Sequence, residues 1–121
     1  MNIKKVPKRY RGFRVKIQKS KIYVASWNDK RKIIYLNYYY VIKPTVDIVD
    51  VKAILNHELE ELKQHIKNKQ PMLIAHSLAN KREKKYLKKR KHKFPGHQKE
   101  IIQVYKKGLV SEDAPYYNAR I

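Results

Sequence analysis

The segment His57-Glu58-Leu59-Glu60-Glu61 holds the residue types of this sequence that are best suited to chemistry. On a helical wheel, the apolar residues around it form one stripe made of Val51, Ile54, Leu55, Leu59, Leu62 and Ile66. Glu58 falls inside this stripe, His57 and Glu61 fall at its edge one turn apart, and Glu60 points to solvent. Two of the three glutamates are therefore misplaced for a plain amphipathic helix.

This placement suits the binding of a divalent metal ion. Side chains at positions i and i+4 of a helix lie on one face, close enough for the imidazole of His57 and the carboxylate of Glu61 to share one ion. A bound metal lowers the pKa of water from 15.7 to about 7 in favourable sites, so that a neighbouring carboxylate takes the proton. The pattern predicts His57 and Glu61 as metal ligands and Glu58 as the catalytic base.

A second helix, predicted from Met72 to about Lys91, supplies candidates for a third ligand. Its apolar face carries His76, Asn80 and Glu83 among the apolar residues, and this face is expected to meet the first helix. Glu83 is the only acid between Glu61 and Glu100. Either His76 or Glu83 completes a set of three ligands that leaves the fourth position open for water.

From about Ile33 to Leu87 the sequence resembles the zincin metallopeptidases, in particular their small gluzincin and SprT-like members. The resemblance consists of a strand ending Ile34-Tyr35-Leu36-Asn37, a loop with Pro44, the helix containing Asn56-His57-Glu58-Leu59, and the helix that follows. In that family the motif is H-E-x-x-H, which implies a zinc ligand at His57, a catalytic base at Glu58 and hydrolysis of peptide bonds. The sequence departs from the motif at its second histidine, where Glu61 stands.

Other histidines have simpler interpretations. A His-Glu pair one turn apart on a helix is usually a surface contact or an ion pair. This is also the alternative interpretation of His57 and Glu61, in place of a metal site. His65 is predicted to lie at an exposed helix end. His92 and His97 flank Pro95-Gly96 and are interpreted as loop residues or phosphate contacts rather than ligands.

The composition limits the type of site and its compartment. The chain of 121 residues has the length of one domain and contains no cysteine, so any metal must be held by nitrogen and oxygen atoms. No run of about 18 apolar residues is long enough to span a membrane, and the N-terminus lacks the features of a secretory signal. These features predict a cytoplasmic protein that does not bind a membrane.

The formal charge of +20 is unevenly distributed along the chain. Residues 1–20 carry eight basic residues and no acid, residues 81–93 carry nine basic residues against one acid, and residues 47–61 hold five of the ten acids. The two basic regions predict a positive field that holds nucleic acid by releasing counterions, unless they are merely solvated faces. Tyrosine and tryptophan side chains in the strands offer stacking surfaces, although they are more often part of a core.

Local patterns predict the elements that position these residues. Alternation at Phe13, Val15 and Ile17 indicates a strand, Ile22–Tyr40 is predicted to form a hairpin, and Thr45 or Asp47 is expected to cap the first long helix. A short third helix is predicted from about Gln98 to Lys107, ended by Gly108. The fold class is therefore α+β, with a small antiparallel sheet of about three strands followed by two to three helices on one face. Residues 1–9 are predicted as a basic flexible arm, 10–108 as a single zincin-like domain and 109–121 as a C-terminal tail.

These observations favour a zinc-dependent hydrolase of minimal zincin-like type that acts on a peptide or protein. The alternative is a basic nucleic-acid-binding protein whose metal site is structural or degenerate. A third hypothesis is a regulator or structural protein that retained a zincin-like fold without catalysis.

Overall fold

A computed structural model describes residues 1–19, 23–92 and 94–106 of the chain. These residues form a four-stranded mixed sheet with helices packed against it, which confirms the predicted α+β class. The strands are β1 (Arg9–Tyr10), β2 (Phe13–Gln18), β3 (Ala25–Asn28) and β4 (Ile33–Asn37). The helices are α1 (Tyr38–Val41), α2 (Ile48–Leu62), α3 (Met72–Lys89) and α4 (Phe94–Lys106).

The sheet has the strand order β1-β2-β4-β3, with β4 between β2 and β3. Strand β4 pairs antiparallel with β3, as the predicted hairpin requires, but parallel with β2. The predicted sheet of about three strands therefore has a fourth strand, and the prediction that it is antiparallel was wrong for the pair β2 and β4. The alternating pattern of β2 does not reveal this, because side chains alternate between the two faces in parallel and antiparallel strands alike. The order leaves β3 at one edge of the sheet.

Short polar sequences end the strands. Arg11 and Gly12 connect β1 to β2 with φ values of 47° and 86°, a left-handed conformation that a tight hairpin requires and that glycine adopts at little cost. Strand β4 ends at Asn37, whose side chain accepts hydrogen bonds from the backbone N–H groups of Tyr39 and Tyr40. This cap starts α1, so the predicted extension of the strand to Tyr40 was wrong.

Helix α2 begins with a capping box. The side chain of Asp47 accepts a hydrogen bond from the backbone N–H of Asp50, and the side chain of Asp50 accepts one from the backbone N–H of Asp47. After Leu62 the chain continues as one π-helical turn over Lys63–Lys67, and α3 then packs against α2. These two helices confirm the predicted helical segments to within a few residues.

Helix α4 begins at Phe94, four residues before the predicted start at Gln98. Pro95 lies in its first turn, where the missing N–H would have no partner within the helix, so proline opens this helix rather than interrupting the chain. The predictions for Gly108 and for the tail 109–121 fall outside the described residues.

The N-terminal residues predicted as a loose arm lie against the domain. Val6 is buried in the core, and the amino group of Met1 donates hydrogen bonds to the carbonyl oxygens of Val41 and Lys43 at 2.8 and 2.6 Å. In the described part of the chain, no helix has both the length and the apolar character needed to cross a membrane.

The hydrophobic core joins β4 to α2, and a substitution there should destabilise the fold. Leu36 is completely buried, whereas Leu73 is 72% exposed. We expect Leu36→Ala to lower the free energy of unfolding by about 2–5 kcal/mol, because it removes buried methyl groups and leaves a cavity. Leu73→Ala, the same change at the surface, should alter it by about 0.5 kcal/mol or less. Chemical denaturation measures both, and equal effects would contradict the placement of β4 in the core.

Candidate metal centre

A cavity of about 290 Å³ lies between the edge strand β3 and helices α2 and α3. Its walls are formed by Tyr23, Val24, Ala25, Ser26, Trp27, His57, Glu58, Glu61, Met72 and His76. Three of these are the α2 residues singled out from the sequence, and His57, Glu58 and Glu61 are all buried, with at most 4% of each residue exposed. Their burial agrees with the helical wheel, which placed Glu58 within the apolar stripe and His57 and Glu61 at its edge.

The side chains of His57, Glu61 and His76 meet at this cavity. Nδ1 of His76 lies 2.7 Å from Oε2 of Glu61, and Nε2 of His57 lies 3.4 Å from the same oxygen. One ligand atom from each residue lies within 4.8 Å of those of the other two, a spacing that allows all three to bind one ion. Of the two candidates for a third ligand, His76 is the one that joins His57 and Glu61.

Trp27 fixes the orientation of the Glu61 carboxylate. Its indole N–H donates a hydrogen bond of 3.1 Å to Oε1 of Glu61, which leaves Oε2 beside the two imidazoles. No local pattern indicates this contact, because Trp27 lies in β3 and is separated from Glu61 by 34 positions.

The surroundings of Glu61 keep its side chain ionised. Burial raises the pKa of this carboxyl, but hydrogen bonds from His57 and His76 and the attraction of their imidazoles outweigh burial and hold the pKa well below its usual range. Glu61 is therefore a carboxylate at neutral pH, which is the form that binds a metal.

Glu83 lies behind His57 and outside the group of three. Its Oε1 is 2.8 Å from Nδ1 of His57. The other ring nitrogen, Nε2, faces Oε2 of Glu61. A carboxylate in this position orients a metal-binding histidine, so Glu83 is not placed as the third ligand itself.

The network continues from Glu83 to the other end of α2. Oε2 of Glu83 lies 2.5 Å from Nε2 of His97, and Nδ1 of His97 lies 2.7 Å from Oδ1 of Asp50. His97 is 1% exposed and lies within α4, so its interpretation as a loop residue or a phosphate contact was wrong. His92 does lie between α3 and α4, but its Nε2 contacts Oδ1 of Asp50 at 2.8 Å. No sequence motif links these residues, which come from three segments.

Burial and hydrogen bonding shift the pKa values of Asp50 and His97 in opposite directions. Burial raises the pKa of Asp50, but hydrogen bonds from His97, the Asp47 backbone and His92 outweigh it and lower the pKa to about 2. Burial lowers the pKa of His97, and its bonds to Asp50 and Glu83 outweigh this effect and raise it. Below pH 6.5, His97 therefore carries a positive charge between two carboxylates.

Two other histidine sites have contacts that account for them without a metal. Asp47, Asp50 and His92 are close enough to hold an ion. Asp50 already accepts hydrogen bonds from His92, His97 and the Asp47 backbone, which is a sufficient reason for this arrangement. Nδ1 of His65 lies 3.0 Å from the carbonyl oxygen of Gln70, in accord with its interpretation as a non-ligand.

Comparison with known proteins does not assign the site. No protein-family model, curated protein or solved structure gives a significant match to this chain. The chemistry of the cavity must therefore be inferred from its own residues.

The pair of Asp50 and His97 should make the stability of the fold depend on pH. The pKa of Asp50 is lowered from 3.8 to about 2, so its contribution is present above pH 3.8 and is lost as pH falls toward 2. The pKa of His97 is raised above 6.5, so its contribution is present below pH 6.5 and is lost as pH rises through its value in the folded protein. The pair should stabilise most between pH 3.8 and 6.5.

Asp50→Asn should lower the free energy of unfolding at pH 5 by about 3 kcal/mol, because it leaves a buried imidazolium without its partner. The difference from the natural chain should shrink as pH falls toward 2. Asp29→Asn is a matched control, since Asp29 pairs with Lys32 at the surface and should contribute about 0.5 kcal/mol or less. Urea denaturation at several pH values measures both effects, and a difference independent of pH would contradict this role of Asp50.

Proposed function

We propose that this chain is a metal-dependent hydrolase of minimal zincin-like type that cleaves peptide bonds. The observation that supports it most is the meeting of His57 and Glu61 from α2 with His76 from α3 at a cavity that Glu58 also lines. Potential ligands and a potential base thus line one cavity.

The donor set suits a catalytic zinc ion. Two imidazoles and one carboxylate form one of the ligand sets of catalytic zinc sites, which keep a fourth position for water or substrate. Nε2 of His76 is buried and has no hydrogen-bond partner within the described residues, and a buried polar atom in this state costs free energy unless a ligand satisfies it. In the H-E-x-x-H motif the second imidazole stands at the position of Glu61, and in the proposed site His76 supplies it from α3.

The role that we propose for each residue follows from the contacts of its side chain. A divalent ion held by the three residues would polarise a substrate carbonyl and lower the pKa of a water molecule in the cavity. Glu58, which lines the cavity next to His57, accepts the proton of that water and passes it to the leaving amine. Trp27 holds Glu61 in place and Glu83 holds His57, so neither ligand must reorient during the reaction.

The position of β3 supports a peptide as the substrate. This strand is at the edge of the sheet, and its residues Ala25, Ser26 and Trp27 form one wall of the cavity. An extended peptide pairs readily with an exposed strand edge through main-chain hydrogen bonds. The apolar wall residues Val24, Ala25 and Met72 suit an apolar substrate side chain next to the cleaved bond.

The metal content of the purified protein tests the ligand set. We expect about one equivalent of zinc or a similar ion for each chain, since three protein ligands hold one ion. His57→Ala and His76→Ala should each lose it, because two remaining ligands bind weakly. His65→Ala changes the same residue type on the continuation of α2 and should keep the metal. Elemental analysis measures all four proteins, and equal metal in the natural chain and in His57→Ala would rule out this set.

The base is tested by a change that keeps the shape of its side chain. Glu58→Gln should keep the metal and lower zinc-dependent hydrolysis about 10²–10⁴-fold, because the amide accepts no proton from water. Glu60→Gln is the matched control: Glu60 lies on the other side of α2, accepts a hydrogen bond from Gln64, and should have little influence on the rate. Labelled casein and a quenched fluorescent peptide library are suitable substrates. Equal rates in the two variants, or no metal-dependent cleavage by the natural chain, would refute the proposal.

A further inference from the structure

A basic groove lies on the side of α2 that faces away from the metal centre. It has a volume of about 210 Å³ and is lined by Arg11, Asn56, Arg82, Lys85, Tyr86, Lys89 and Arg90. A second depression of about 170 Å³ shares Arg11, Asn56 and Arg82 with it and adds Leu59, Glu60 and Lys63. The two depressions together form one continuous groove between the β1–β2 turn, α2 and α3, which we call the basic groove.

Little acidic charge lies near these cations. Among the described residues, no carboxylate lines the first depression, and Glu60 is the acid that lines the second. Glu83 is the one acid within residues 81–93. It is 1% exposed and contacts His57 and His97, so its negative charge lies inside the protein and does not offset the cations of the groove. The cations in the basic groove therefore repel one another, and an anionic partner would relieve this repulsion.

The spacing of the cations fits a chain of phosphates better than a single anion. Arg82, Lys85 and Lys89 follow one another along α3, and a helical rise of about 1.5 Å per residue places the first and last about 10 Å apart. One strand of a duplex carries a phosphate about every 3.4 Å along its axis, so this length corresponds to about three phosphates. Arg90 lies 3.6 Å from the ring centre of Tyr86, which fixes its guanidinium at the groove wall.

We propose that the basic groove binds the sugar–phosphate backbone of nucleic acid. This inference is independent of the proposed hydrolase, since none of the groove residues lines the cavity of the metal centre. An anionic membrane fits less well, because the groove is concave while a bilayer surface is flat. Two neighbouring exposed apolar residues, Leu73 and Ile74, lie near the other end of α3.

A pair of charge-matched variants tests the groove. The first variant is Arg82→Glu, Lys85→Glu and Lys89→Glu, and the second is Lys30→Glu, Arg31→Glu and Lys99→Glu at exposed positions outside the groove. Each lowers the formal charge of +20 by six, so a difference between them reports position rather than total charge. The probes are fluorescein-labelled DNA and RNA of about 20 nucleotides, single-stranded and duplex, and fluorescence anisotropy gives the affinity at several salt concentrations.

The natural chain should bind at least one of these probes, more weakly as salt rises. The groove variant should lose about tenfold or more in affinity, and the slope of log K against log salt should fall by about three, one for each lost phosphate contact. The control variant should lose about threefold or less. If a thermal unfolding measurement shows that the groove variant is not folded, the neutral changes Arg82→Gln, Lys85→Gln and Lys89→Gln replace it. The expected order of affinities is the same.

Three results would overturn the inference: no binding to any probe at low salt, equal losses in the groove and control variants, or equally tight binding to polyglutamate or to anionic lipid vesicles. The metal-free chain and Glu58→Gln should bind the probes as the natural chain does. A loss of binding in either would place the interaction at the metal centre and refute the groove. The failure of the hydrolase proposal, in contrast, leaves these expected affinities unchanged.

Discussion

A carboxylate that is withdrawn from water must find a charged or hydrogen-bonding partner, and this requirement governs the interior of the protein. Asp50, Glu61 and Glu83 are all buried, and each meets at least one imidazole. Their partners come from different elements, so the contacts connect β3, α2, α3 and α4. The arrangement of these elements around α2 is therefore fixed by electrostatics as well as by apolar packing, and loss of one partner leaves the others buried and uncompensated.

Glu83 joins two regions of this network that differ in charge. On one side, His97 carries a proton between Glu83 and Asp50, so the positive charge needed there is already present. On the other side, the carboxylate of Glu61 lies beside the imidazoles of His57 and His76 at a cavity. A divalent cation would supply positive charge at this second place. The first region is thus suited to a structural role and the second to chemistry.

The inward position of Glu83 also explains the distribution of charge on the surface of this chain, which has few acids. Glu83 interrupts a run of basic residues in the sequence, but in the fold it turns inward and leaves the outer side of α3 cationic. Helix α2 then separates two environments: His57 and Glu61 face the cavity, and Asn56 and Glu60 face the basic groove. A hydrolase placed next to a nucleic-acid backbone by such a surface would require no additional domain.

The features of this protein that could be predicted from its sequence are those that depend on local geometry. The i, i+4 spacing of His57 and Glu61, the capping by Asp47 and the alternation in β2 depend on helix and strand periods, which operate within one element and could be recognised without knowing the fold. Contacts between elements are different, because they depend on strand order and helix packing that no local period encodes. The central position of β4, the hydrogen bond from Trp27 to Glu61 and the place of His97 between two carboxylates were decided by tertiary structure alone, since burial brings together residues that are far apart in the chain.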